Sequence, residues 1–408
     1  MQALHRKSFL PVFLGFTLIG APGCGSDGSA PETVAPRIAL TGVAPGQTYQ
    51  GPVTISISID RGSYTATVDG QPFSSGQTVS VPGPHTLAVT ARNGTATSDT
   101  AVAFAIAGGD RALTIRLLDL GANASGGGGD AILLTDSSSA GKVHAMIDAG
   151  PAGANASDPS YVSRRLAALG VDSLEFLQLT HAHADHYQGM NAIFSVANVK
   201  RFIYNGQVRN LSSYNTLVGL ARGQADSMIV PTTNYVLNLG AGPGAARITV
   251  VAALASYLGN GAAESAQLNE GSLGTALELG TFRMFFTGDG EVEANARWRT
   301  QFADLSRNVT VLKVGHHGAN DAVFDNGFSG NSSWLNHTAP AVSVISSNGT
   351  THPRVNALTR LLQQNNSRTY CTSVHGEITI RVLPAGTYQV TVQKNATLDC
   401  VPGSDANS

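Results

Sequence analysis

Charge is what this sequence has least of. Acidic and basic side chains make up 13 % of its 408 residues, about half the ~25 % of an ordinary soluble domain. They nearly cancel, with 25 Lys and Arg against 27 Asp and Glu and a formal net charge of -2. No global positive field draws in nucleic acid, which excludes a lysine-rich DNA-coating protein and leaves room only for a local patch. Long apolar runs are also missing: none approaches the ~20 residues of a membrane-spanning helix, which excludes an integral membrane protein built on such helices. Cysteine is scarce, at three residues, and none sits in a CxxC or zinc-ribbon spacing, so cysteine metal chemistry is not indicated. What is plentiful is glycine, with 46 residues, and uncharged polar side chains, the profile of a turn-rich chain. With 42 % hydrophobic residues, and a length that suits two or three domains of ~100–200 residues, the chain can bury a substantial core.

Residues 1–24 follow secretory grammar: basic His5, Arg6 and Lys7, an apolar stretch from Phe9 to Ile19, then small residues up to Cys24. The string Ile19-Gly20-Ala21-Pro22-Gly23-Cys24 resembles a bacterial lipobox, although Ala21 stands where leucine is usual and Pro22 is atypical. Ordinary cleavage after Ala21 is disfavoured, because Pro22 would follow the scissile bond. The expectation is an exported protein of the bacterial cell envelope, in the periplasm or at the surface, that meets membrane only through lipid on Cys24. Residues 25–35, rich in Gly, Ser and Pro, read as a flexible tether. Cys371 and Cys400 then remain in a compartment that permits disulfides, and a bridge between them and a pair of free thiols are both open.

Residues 36–108 show short alternating runs broken by turn residues. Thr54–Ile59 sets three isoleucines on one face, while Asp69-Gly70 and Asn93-Gly94 are two-residue hairpin signals. About seven short strands in this span predict an all-β, immunoglobulin-like sandwich, and the segment also resembles the Ig-like modules attached to bacterial secreted enzymes. It carries no catalytic chemistry and reads as a spacer or docking module. After Gly108-Gly109 the pattern changes. Leu113–Leu118, Ala131–Leu134 and Val143–Ile147 read as strands, the first two separated by a glycine-rich loop. A helix follows, with Tyr161, Val162, Leu166 and Leu169 on one face and Gly170 just past its end, then strand Leu174–Thr180. Strands alternating with helices predict a layered α/β domain over residues 112–395.

Directly after that strand stand His181, His183, Asp185 and His186. Histidines at i and i+2 on an extended strand exit project to one side and can grip one metal ion, while Asp185 and His186 turn toward a second. So many imidazoles and carboxylates within six residues cost too much desolvation to serve as packing alone.

This HxHxDH string resembles the metallo-β-lactamase superfamily, and the resemblance implies an αββα sandwich that binds two divalent ions. Asp148, in Ile-Asp-Ala-Gly, matches an acid that supports the histidine loop, and Asp289, in Thr-Gly-Asp, matches the metal-bridging carboxylate. The further order looks like the hydrolase domain of ComEC-type competence proteins over about residues 112–383: Asn269-x-x-Ser272, Gly288-Asp289, Leu-Lys313-Val-Gly-His316-His317-Gly, His352-Pro353, then a Gly-x-Ile-x-Ile strand. By that match His181, His183 and Asp289 hold the first metal, and Asp185, His186, Asp289 and His316 the second, with a swap of His316 and His317 left open. His317 and His352 then face the substrate as hydrogen-bond donors or acids, Asp185 orients the attacking hydroxide, and Asn269, Ser272 and Lys313 bind substrate. For His352 a role capping the following helix also stands. His5, His85, His144, His337 and His375 have no such context and read as surface or structural.

Two departures from the family pattern stand out. No histidine lies between His186 and Asp289, so Asn269 stands in the region of a third imidazole, and Asp119-Leu120-Gly121 is separated from Asp130 by the glycine-rich insertion. Zinc is favoured over manganese as the metal. The leading expectation is a phosphodiesterase or nuclease-like enzyme, the second a hydrolase of carboxylic esters, thioesters or lactams. The third is a non-catalytic surface-binding protein. No stable protein partner is expected.

Overall fold

In the computed structural model, residues 34–49, 52–81, 83–106, 111–121, 128–138, 141–152, 161–242, 244–253, 255–257, 260–261, 265–364 and 368–405 are described. The expected leader and most of the tether lie outside the described residues, as does residue stretch 122–127 of the glycine-rich loop.

Residues 38–106 form a β unit with its own core. Asp69 and Gly70, at φ 52° and 80°, turn Ser63–Val68 back onto Gln71–Pro72, as the Asp-Gly pair predicts. The long strands Gly83–Asn93 and Ala96–Ile106 pair along their whole length. Their alternate residues Leu87, Val89, Val102 and Phe104 meet Ile55 and Ile57 in one buried cluster. His85 is structural, with Nδ1 2.6 Å from Asp69 Oδ2 and Nε2 2.6 Å from Val81 O.

The larger unit holds two mixed sheets. The first, of eight strands, is ordered Ser227–Ile229, Arg201–Tyr204, Leu177–Leu179, Gly141–Ala149, Ala131–Ser138, Ala112–Leu117, Ile378–Val382, Tyr388–Val392. The second, of seven, runs Tyr235–Leu239, Ala246–Val251, Gly274–Leu279, Phe282–Phe286, Val311–Lys313, Val342–Ile345, Arg368–Cys371. Strand periodicity explains how they stack. Ile132, Leu134 and Ile147 of the first sheet share a core with Ile248, Leu277, Met284 and Phe286 of the second. Leu133 and Met146, one residue out of phase, pack instead with Val162 and Leu166 of helix Tyr161–Ala168 and with Tyr214 and Leu217 of helix Ser212–Gln224. Phe285 likewise turns from its neighbours to meet Trp298 of helix Val292–Gln301 and Leu358 of helix Val355–Leu362. The layers are therefore helix, sheet, sheet, helix, and strands apolar on both faces are what such burial requires.

Several of these strands are parallel: Gly141–Ala149 with Leu177–Leu179, and Phe282–Phe286 with Val311–Lys313, Val342–Ile345 and Arg368–Cys371. Parallel strands deliver their C-terminal ends to one edge, so the loops after them gather there. The unit continues past the expected boundary at 395. Cys400 is disulfide-bonded to Cys371, with Cα atoms 5.4 Å apart, and residues 403–405 hydrogen-bond to the loop at 349–353.

Candidate metal centre

Most ligand candidates lie at or just past the end of a strand, while Asp185 and His186 sit on the short helix Ala184–Tyr187 that follows Leu177–Leu179. Asp148, fully buried and at φ 54°, accepts from Thr180 N at 2.8 Å through Oδ1, and from Thr180 Oγ1 and His186 Nδ1 at 2.7 Å through Oδ2. One carboxylate thus fixes the histidine loop and the tautomer of His186: Nδ1 carries the proton and Nε2 a lone pair. Two more rings are set the same way. Thr180 Oγ1 gives its proton to Asp148, so at 3.1 Å it accepts from His181 Nδ1. The Ser346 carbonyl accepts from His317 Nδ1 at 3.1 Å. His181, His186 and His317 therefore all turn an Nε2 lone pair inward.

What they face is also an acceptor. Asp289 Oδ2 lies 3.1 Å from His186 Nε2, 3.3 Å from His317 Nε2 and 3.8 Å from His181 Nε2. Asp185 Oδ2 is 3.3 Å from His317 Nε2, while His181 Nε2 can accept a hydrogen bond from His183 Nδ1 at 2.9 Å. His186 Nε2, His317 Nε2 and Asp289 Oδ1 are buried without a hydrogen-bond partner. Lone pairs aimed at lone pairs in a dry site repel unless a cation or a proton lies between them. Two sets, His181–His183–Asp289 and Asp185–His186–Asp289–His317, each bring their ligand atoms within 4.8 Å of one another and share Asp289. These all-nitrogen-and-oxygen donors suit divalent metal ions.

Without metal, protons take part of that role. Burial disfavours charge on His317, but Asp289 and Asp185 outweigh it and hold its pKa at about 9. His186 is buried too, yet Asp289, Asp148 and Asp185 hold it well above the ordinary value. Burial and the neighbouring His186 push His181 the other way, well below it. Gly288, at φ 52°, lets the bridging loop approach: a Cβ there would lie 2.8 Å from that of Thr180.

The two adjacent histidines exchange places relative to the sequence reading. His316, expected beside Asp185, His186 and Asp289, instead sets Nδ1 3.0 Å from Asp321 Oδ1 and 3.2 Å from Glu291 Oε1. His317 takes the inward position. The cause is local, since both are left-handed, at φ 46° and 55°, and this tight coil between Gly315 and Gly318 directs the second ring to Asp289. Lys313, expected at the substrate, is fully buried, pairing with Asp130 and donating to Gly288 O at 3.3 Å. It stands behind the centre. Asn269 and Ser272, also expected at the substrate, are 2 % and 1 % exposed and hold the bridging loop instead: Asn269 Nδ2 donates to Glu291 Oε1 at 2.5 Å, and Ser272 Oγ accepts from Asp289 N at 3.2 Å.

His352 stacks on His316 at 5.8 Å and meets His317 edge-on at 6.2 Å. Thr351 Oγ1, which accepts from Asn348 Nδ2 at 3.3 Å, lies 3.1 Å from His352 Nδ1. Either atom of that pair can be the donor, so the contact fixes the plane of the ring without fixing its tautomer. Burial and the charge on His317 push the His352 pKa down to about 3, which makes the ring a neutral N–H donor and not a cationic acid.

Asp130, Glu291 and Asp321 were not among the expected site residues. Asp130 had a signal, the interrupted Asp-Leu-Gly motif, and the structure returns it to place beside Asp148 and His186. Gly129 permits that return, since a Cβ there would lie 2.4 Å from Asp185 O. Glu291 and Asp321 have no motif to mark them.

No family model and no curated protein matches the chain. Among solved structures, a CmlA beta-hydroxylase is 12 % identical with a TM-score of 0.38, the match covering 67 % of this chain and 54 % of that one. A diphosphatase of the PhnP family is 11 % identical with a TM-score of 0.33, covering 64 % of this chain and 87 % of its own. Zn(2+)-bound PqqB from Methylobacterium extorquens is 14 % identical with a TM-score of 0.29, covering 48 % and 71 %. These neighbours belong to the metallo-β-lactamase superfamily. The likeness is distant, this chain spans about half the length of the hydroxylase, and the roles of the residues above rest on their own geometry.

Proposed function

We propose that this chain is an exported, metal-dependent hydrolase that cleaves phosphodiesters. The observation that carries the reading is the meeting of three inward Nε2 lone pairs with the Asp185 and Asp289 carboxylates in a buried site. That donor set is held together by cations, either metal ions or, without them, protons on His186 and His317. His181, His183 and Asp289 would hold one ion, and Asp185, His186, His317 and Asp289 the other, the imidazole-rich set favouring zinc over manganese. Ions bound there supply Lewis acidity and a nucleophilic water at neutral pH.

The chain's own groups do the rest. Asp185, 7 % exposed, accepts a hydrogen bond from the attacking water and sets its direction. His316 is half-buried, which disfavours its charge, yet Asp321 and Glu291 hold its pKa well above the ordinary value, so it presents a cation to a phosphoryl oxygen. In its Nε2–H tautomer, neutral His352 donates to the leaving oxygen. The phosphodiester class is supported by the motif resemblance. Export is supported by the leader pattern and by the oxidised Cys371–Cys400 pair, which suits an oxidising compartment. Lipid on Cys24, and a spacer or docking role for an Ig-like module at residues 36–108, belong to the same proposal.

The test is hydrolysis of a chromogenic phosphodiester and of a carboxylic ester, after chelation and re-addition of zinc or manganese, with His183→Ala alongside. Metal-dependent phosphodiester turnover that the variant lacks supports the reading. Ester turnover alone transfers it to the ester class, and no turnover by metal-loaded protein removes both.

A further inference from the structure

The segment after strand Tyr388–Val392 has no part in the chemistry above, yet it is tied down at every step. Lys394 N donates to His375 O at 3.0 Å, and Leu398 O lies 3.1 Å from His375 Nε2. Cys400 is then joined to Cys371. Beyond the bridge, the N–H groups of Gly403, Ser404 and Asp405 donate to Pro353 O at 3.0 Å, Gly349 O at 2.9 Å and Thr350 O at 2.7 Å.

Those acceptors belong to the loop that carries His352 and whose Ser346 carbonyl orients His317. Within the loop, Asn348 Oδ1 accepts from Thr350 N at 2.9 Å and Thr351 N at 3.1 Å. At its far end Arg354 N donates to Gly318 O at 2.9 Å, in the histidine turn. At its base Ser347 N donates to Thr372 Oγ1 at 2.9 Å, one residue from the bridged Cys371. The loop is thus gripped between the histidine turn and the 403–405 segment. The second grip is tight: a Cβ on Gly403 would lie 2.5 Å from Thr350 O and 2.9 Å from His352 N.

We infer that the Cys371–Cys400 bridge and the Gly403–Asp405 segment form a clamp that positions His352 over the metal centre. The inference rests on the role given to His352 above. Three backbone hydrogen bonds do not by themselves outweigh the entropy of ordering a free segment. A covalent anchor at Cys400, just before Gly403, removes most of that entropy in advance.

The test uses Cys400→Ser and Gly403→Ala in the full chain, the second being mild enough to keep the bridge and the fold. Amide hydrogen exchange across residues 346–354, bound metal per chain, and kinetics on the phosphodiester are measured together. The expected result is exchange at Thr350–His352 faster by about tenfold or more in both variants. Metal content and KM stay unchanged, while kcat falls roughly 10- to 100-fold. A kcat that stays intact in metal-loaded Gly403→Ala overturns the positioning role, and so does unchanged exchange in the loop. If the wild-type chain cleaves no phosphodiester, the hydrolase reading fails, and the exchange result alone decides whether the clamp exists.

Discussion

Lys313→Met, alone and combined with Asp130→Asn, probes how the centre is built. Lys313 and Asp130 are 0 % and 1 % exposed, their charges are in contact, and Asp130 Oδ1 has no hydrogen-bond partner. His186 Nδ1 lies 4.0 Å from Asp130 Oδ2, but its proton is held by Asp148. Lys313 is therefore the cation in direct contact with Asp130. Two unit charges ~4 Å apart at an effective dielectric of ~20 attract by ~4 kcal/mol. Removing one partner of such a pair costs ~3–5 kcal/mol, because the other charge is left buried and uncompensated. Methionine keeps the length of the lysine stem, so charge is the main change. Each single variant is expected to lose ~3–5 kcal/mol, and the double variant well under the sum, with a coupling of ~2–3 kcal/mol. Urea unfolding followed by tryptophan fluorescence reads this out, since Trp298 and Trp334 both lie in the helix layer of the larger unit. Additive losses, with coupling below ~0.5 kcal/mol, would refute the ion pair and reopen a substrate-facing role for Lys313.

Asp148→Asn removes the charge that fixes His186, and is expected to weaken metal binding ~10- to 100-fold in competition with a chromophoric chelator; unchanged affinity would count against the ligand geometry. Zinc at about 1,000 times its Kd is expected to stabilise the larger unit by ~4 kcal/mol, read as a rise in Tm that chelation reverses. Cys400→Ser opens a bridge spanning 29 residues, which on chain entropy amounts to ~3.5 kcal/mol; a shift in denaturant midpoint worth under ~1 kcal/mol would contradict the entropic account. Burial holds the pKa of His144 below its ordinary 6.5, so the unfolded chain takes up that proton first as the pH falls. Stability from this group is present above pH 6.5 and declines below it, and comparing unfolding at pH 7.5 and 5.5 in wild type and His144→Gln isolates the slope.

The parts of the site legible in sequence are those fixed by local spacing. His181 and His183 share a side because they leave one strand at i and i+2, and Asp148 and Asp289 were marked by their strand-end motifs. The exchange of His316 and His317 was not legible, because two consecutive left-handed residues and the partners Ser346, Glu291 and Asp321 decide it. Lys313 was half legible. Strand alternation puts it on the face of Val311, toward the interface between the sheets, while Leu312 and Val314 face the helices. A lysine there needs a buried carboxylate, and nothing in the sequence near Lys313 says that Asp130, across a glycine-rich insertion, supplies it.

That pair also bears on which ions the centre can hold. Asp130, Asp148, Asp185 and Asp289 are all nearly or fully buried, and Lys313 is the one buried lysine beside them. With the imidazoles neutral as metal ligands, these four carboxylates and Lys313 sum to three negative charges. A single divalent ion leaves the dry centre one short, and an uncompensated buried charge is costly. Two divalent ions exceed the deficit by one, and that excess is the sign of field that attracts an anionic substrate. On the proposed two-ion reading, Lys313 offsets one of the four buried carboxylate charges, and Lys313→Met would remove that positive charge from the balance.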